Sequence, residues 1–73
     1  MKDAELQALR KEVKRAKRIA SEKAGELHDL VEERLPQAYK DIPAVSQACF
    51  DACEAWAELN ARLNAAEKEA TGA

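Results

Sequence analysis

The chain has 73 residues, 47% hydrophobic and 36% charged, with a formal net charge of −2. That length allows one small domain and little buried apolar surface, so without a disulfide network or structural metal it needs a partner chain or closely packed helices. Two cysteines are too few for a disulfide scaffold, and the chain shows neither a leader pattern nor 18 consecutive apolar residues, so reduced thiols and a cytoplasmic location are expected.

Ala, Glu, Lys, Leu and Arg dominate, while Gly and Pro occur twice each. This composition predicts an all-α protein. A single domain over residues 1–73 is expected, with a helix over about 4–34, a turn over 35–43 and a helix over about 44–69. Asp3 is placed to cap the first helix, and Glu5 suits the positive end of its dipole. Leu6, Leu9, Val13, Ala16, Ala20, Leu27 and Leu30 then recur at spacings of three and four, which defines one helix face. Lys23 interrupts this repeat, and Ala24 is expected to take its place. Gly25 lies inside the helix at a cost of about 1 kcal/mol relative to alanine. Leu35 precedes Pro36 and is pushed out of the helical region.

Asp41 is the expected cap of the second helix, and Pro43 is tolerated in its first turn. The seam of this helix runs through Ile42, Val45, Cys49, Ala52, Trp56, Leu59, Leu63, Ala66 and Ala70 without a break. Thr71-Gly72-Ala73 reads as its stop. Folding the helices back antiparallel sets Leu6 against Ala70, Leu9 against Ala66, Val13 against Leu63, Ala16 against Leu59 and Ala20 against Trp56. Large residues thus meet small ones. Ala24 would face Ala52, Leu27 would face Cys49, and Leu30 would face Val45.

A further apolar stripe, Phe50, Cys53, Ala57 and Ala61, lies beside the second seam, and Val31 and Leu35 lie off the first. A lone hairpin leaves them wet, so Phe50, Cys53, Ala57, Val31 and Leu35 are expected to form the interface of a homodimer or larger homo-oligomer, built as a four-helix bundle.

Gly25, His28, Asp29 and Glu32 share a face away from the seam. His28 and Glu32 are one turn apart, so imidazole and carboxylate can converge on one ion, with Asp29 as a further ligand or as a carboxylate supporting the ring. Gly25 leaves room for a ligand or a second backbone. A transition metal such as iron, nickel or zinc would need further ligands from another chain or from water. Cys49, level with Leu27 beside His28, and Cys53 one turn on are a second candidate ligand pair, although a cysteine on a core seam usually acts as a small hydrophobe.

Residues 10–18 hold six basic side chains, Arg10, Lys11, Lys14, Arg15, Lys17 and Arg18, against one acid, Glu12. Such a block suits RNA or an acidic protein face, or is a solvated face partly neutralised by the returning helix. No aromatic residue is interleaved with it, so nucleic acid is the less favoured partner. One histidine, no nucleophile elbow and no glycine-rich phosphate loop argue against an enzyme.

The segment Gly25-Glu-Leu-His28-Asp29-Leu-Val-Glu32-Glu-Arg-Leu35-Pro36, followed by Ile42-Pro43-Ala44, resembles the Rop-like small proteins encoded in bacterial nitrogen-fixation gene clusters. The resemblance covers nearly the whole chain. It implies an antiparallel helical hairpin that dimerises, an accessory role around nitrogenase, and metal binding in some members, which points to His28, Asp29 and Glu32; the alternatives are a non-catalytic oligomeric adaptor that docks a nitrogenase-related protein and, less favoured, an RNA-binding regulator. It implies no role for Cys49 or Cys53.

Overall fold

The computed structural model describes residues 2–70. The side chain of Ala70, Met1 and the stop expected at residues 71–73 lie outside the described residues, and so does the pairing of Leu6 with Ala70. Two long helices, α1 (Asp3–Asp29) and α2 (Ile42–Ala70), fold into an antiparallel hairpin 54 Å long and 15 × 14 Å across.

α1 begins at Asp3, the residue expected to cap it, so the cap position falls one residue earlier. Lys2 is the extended residue at the cap position, without a capping side-chain bond, and Asp3 is already helical; Asp3 and Glu5 both lie in the first turn. The carbonyl of Lys2 accepts from the Leu6 N–H at 2.9 Å, so the backbone makes the start without help from Asp3. At its other end α1 widens into a π-helical turn over Leu30–Arg34, which accounts for the helical path expected to residue 34. Leu35 is extended (φ −88, ψ 150), as its place before Pro36 requires; the Leu35–Pro36 peptide bond is cis.

A short 3-10 turn, Tyr39–Asp41, leads into α2, which starts two residues before the expected position 44. Asp41 makes no side-chain bond to the helix start among the described residues, so the expected Asp41 cap does not form; the local side-chain bond here is Ser46 Oγ donating to the Pro43 carbonyl, at 3.1 Å.

The register follows the seam pattern. Leu6, Leu9 and Ala66 form one buried cluster with Leu59 and Leu63 packed against it, and Val13 and Leu30 are also buried. Arg10 Nη2 lies 3.1 Å from Glu67 Oε2 across the two helices, which fixes the same antiparallel alignment. Two details differ from the sequence pattern. Lys23 does not interrupt the seam: it is half-buried, Ala24 is exposed, and Lys23 Nζ reaches Glu26 Oε2 at 3.6 Å. A lysine can do this because its aliphatic stem covers apolar surface while the ammonium stays wet. Ile42, the expected first seam residue of α2, is 38% exposed, because it sits at the open end beside the turn.

Leu30 is the one described large side chain with no exposed surface. Leu30→Ala should therefore lower the unfolding free energy by roughly 2–4 kcal/mol in urea denaturation, through lost transfer energy and a residual cavity. At Gly25 an added Cβ would meet nothing within 4 Å. Gly25→Ala should stabilise the hairpin by about 0.5–1 kcal/mol, because alanine costs the unfolded chain less entropy. A loss of stability instead would mean that a second backbone crosses at Gly25.

Candidate functional site

The histidine face lies on the last turn of α1 and the π-helical turn that follows. His28, Asp29 and Glu32 are each about two-thirds exposed. His28 Nδ1 is 3.6 Å from Asp29 Oδ1, and His28 Nε2 is 3.5 Å from Glu32 Oε1. The carboxylates thus stand at opposite nitrogens of the ring rather than beside one another. A tetrahedral ion bonded to one imidazole nitrogen and one carboxylate oxygen holds them about 3.4 Å apart. The His28 Nε2–Glu32 Oε1 separation fits that span. Asp29 lies at the other ring nitrogen, at a distance longer than a hydrogen bond. Among the described residues no three His, Cys, Asp or Glu side chains gather as a metal-holding group. The structure therefore brings His28 to Glu32 and Asp29 but does not join Cys49 and Cys53 to them.

Cys49 and Cys53 are both free thiols, Cys49 half-buried on the seam and Cys53 exposed. Burial pushes the Cys49 thiol up from its ordinary range, and the neighbouring Cys53 thiol adds to this through a hydrogen bond and charge. Cys49 is therefore held protonated, which suits a small core residue better than a ligand or a nucleophile.

Most of the side chains expected at an interface lie on the surface of the hairpin. Phe50 is 60% and Val31 57% exposed, Cys53 and Ala57 are exposed, and Leu35 is half-buried. Beside them, at mid-length of the hairpin, runs a shallow apolar groove of about 230 Å³ lined by Lys17, Ala20, Ser21, Ala24, Cys53 and Trp56. The Ala20–Trp56 layer is thus open on one side. The α1 contributors Lys17, Ser21 and Ala24 are absent from the sequence-based interface. Their signal was the line they continue with Lys14, His28 and Val31, at helical spacings of three and four beside the seam.

The basic block is exposed except for half-buried Arg10, which pairs with Glu67. Lys11, Lys14, Arg15, Lys17 and Arg18 have no ion-pair partner among the described residues. No helix in the described residues is long and apolar enough to cross a membrane.

These features define a slender two-helix hairpin with an exposed apolar flank and a polar histidine face. A family model for Rop-like proteins matches residues 4–68, and the chain belongs to the Rop-like family. No match was found among curated proteins or among solved structures.

Proposed function

We propose that this chain is a non-catalytic docking module of the cytoplasm that acts as a homo-oligomer in an accessory role in nitrogen fixation, with a nitrogenase-related protein as its client. The observation that carries the oligomer is the apolar flank: Phe50 and Val31 each leave more than half their surface exposed beside the open groove. Exposed apolar area of this kind on so small a core marks an interaction surface. The nitrogen-fixation setting is supported by the resemblance carried by the segment from Gly25 to Pro36 and by Ile42-Pro43-Ala44. Deleting the gene from a nitrogen-fixing host should lower acetylene reduction while growth on ammonium stays normal, and a Phe50→Ser copy should restore less activity than the parent copy. Unchanged acetylene reduction in the deletion strain would refute the role.

A second reading has its own observation, the 3.5 Å between His28 Nε2 and Glu32 Oε1. On this reading His28 and Glu32 supply two ligands to an iron, nickel or zinc ion, Asp29 steadies the ring, and a neighbouring chain or water completes the shell. Calorimetric titration of Fe(II), Ni(II) and Zn(II) into chelator-stripped protein should give binding that is lost in His28→Ala and weakened roughly 10–100-fold in Asp29→Asn. Parent-like affinity in His28→Ala would place any bound ion elsewhere.

A further inference from the structure

Of the six basic side chains in residues 10–18, four share one ridge of α1. At 3.6 residues per turn, Lys11, Lys14, Arg15 and Arg18 fall within an arc of about 100° on the side of the helix opposite Leu6, Leu9, Val13 and Ala16. All four are exposed, and none has an ion-pair partner among the described residues. Arg10 pairs with Glu67, and Lys17 lines the apolar groove. Glu12, the one acid of the block, lies outside the arc and lines a hollow with Glu5 and Arg62.

This arrangement works against the helix. Lys11–Lys14, Lys11–Arg15, Lys14–Arg18 and Arg15–Arg18 are spaced three or four apart, so each pair sets like charges one turn from each other, where they repel. A face that only had to be wet would alternate the sign. α1 does so further along, where Lys23 and Glu26 approach to 3.6 Å. An anionic partner seated on the ridge would offset the repulsion.

Shape and charge select the kind of anion. The four cations span about 10 Å of helix at 1.5 Å per residue. Beyond them α1 and its π-helical turn carry Glu22, Glu26, Asp29, Glu32 and Glu33 against Lys23 up to residue 33. A nucleic-acid backbone keeps its charge along its whole length, so a strand following the ridge would run on into these acids. The ridge also holds no aromatic side chain on which a base could stack; Tyr39, Phe50 and Trp56 belong to the turn and α2. A compact cluster of carboxylates ends where the cations end, and Arg15 and Arg18 carry planar forks that match carboxylates. We propose that Lys11, Lys14, Arg15 and Arg18 form a docking ridge for such an acidic patch on a partner protein. This rests on the docking reading above and adds to it the chemistry of the client's surface and the face of the hairpin that meets it.

The test compares two variants of equal net charge. The ridge variant carries Lys11→Gln, Lys14→Gln and Arg18→Gln; the control carries Lys2→Gln, Arg34→Gln and Lys40→Gln. All six side chains are exposed, and circular dichroism checks that each variant stays helical. The probe is a fluorescein-labelled peptide of consecutive glutamates, read by fluorescence anisotropy at low salt. The parent should bind it, with affinity falling as salt rises, and the ridge variant should bind it roughly tenfold more weakly than the control. Light scattering should give parent and ridge variant the same mass. In the deletion strain the ridge variant should restore less acetylene reduction than the control.

Equal binding of the peptide by the two variants would overturn the ridge as the anion site. A short labelled RNA hairpin bound more tightly than the peptide, and lost in the ridge variant, would overturn the proposal in favour of nucleic acid. A lower mass for the ridge variant would place the ridge between copies of this chain and overturn it too. Full rescue by a ridge variant that no longer binds the peptide would overturn the ridge as the client's site and leave the docking reading intact. A deletion strain with unchanged acetylene reduction refutes the docking reading on its own, and the peptide titration still decides whether the ridge takes carboxylates.

Discussion

The structure depends on one constraint: a hairpin of two helices must close a core from a single seam. The side chains that meet there are unequal by design of the sequence. α1 contributes Leu6, Leu9 and Val13 near the chain ends, and α2 answers with Ala66, Leu63 and Leu59. An alanine opposite a leucine lets the helix axes approach, so dispersion contacts form over a narrow strip. The strip is short of area. Only five described hydrophobic residues are buried, and a chain of this size gains little from burial. The apolar side chains left outside, Val31 and Phe50 among them, follow from that shortage.

Much of this was legible because the two seams have the helical period and their residue numbers pair to sums of 75 or 76. Period alone carries the antiparallel register, which the Leu9–Ala66 cluster and the Arg10–Glu67 pair both display. It failed where a residue's type misleads about its position. Lys23 looked like an interruption, yet its stem occupies the seam and its ammonium pairs with Glu26. Asp3 looked like a cap, yet the Lys2 carbonyl already accepts the first helical bond. Ile42 looked like core, yet it lies at the end of the hairpin where no facing layer remains. In each case the chemistry of one side chain was subordinate to where the backbone had put it.

The histidine face shows the opposite limit. Spacing sets His28, Asp29 and Glu32 within about one turn of each other, but spacing does not say which ring nitrogen lies nearer which carboxylate. The structure distinguishes the two carboxylates: Glu32 stands at Nε2 and Asp29 at Nδ1. The groove was hidden for another reason. It is made of small residues, Ala20, Ser21 and Ala24, whose contribution is missing volume rather than a recognisable functional group. A sequence pattern registers what side chains add and is nearly blind to what they leave out.

The distribution of buried residues along the hairpin has a mechanical consequence. Leu6, Leu9 and Val13 with Ala66 fasten the end near the termini, and Leu30 fastens the end near the turn. Between them the facing layers are Ala16, Ala20, Lys23, Ala52 and Trp56, all only half-buried. The two helices are thus riveted at both ends and slack at mid-span. A beam held this way bends most easily at its centre. The groove lies there, at the stretch of the seam where neither rivet holds the facing layers.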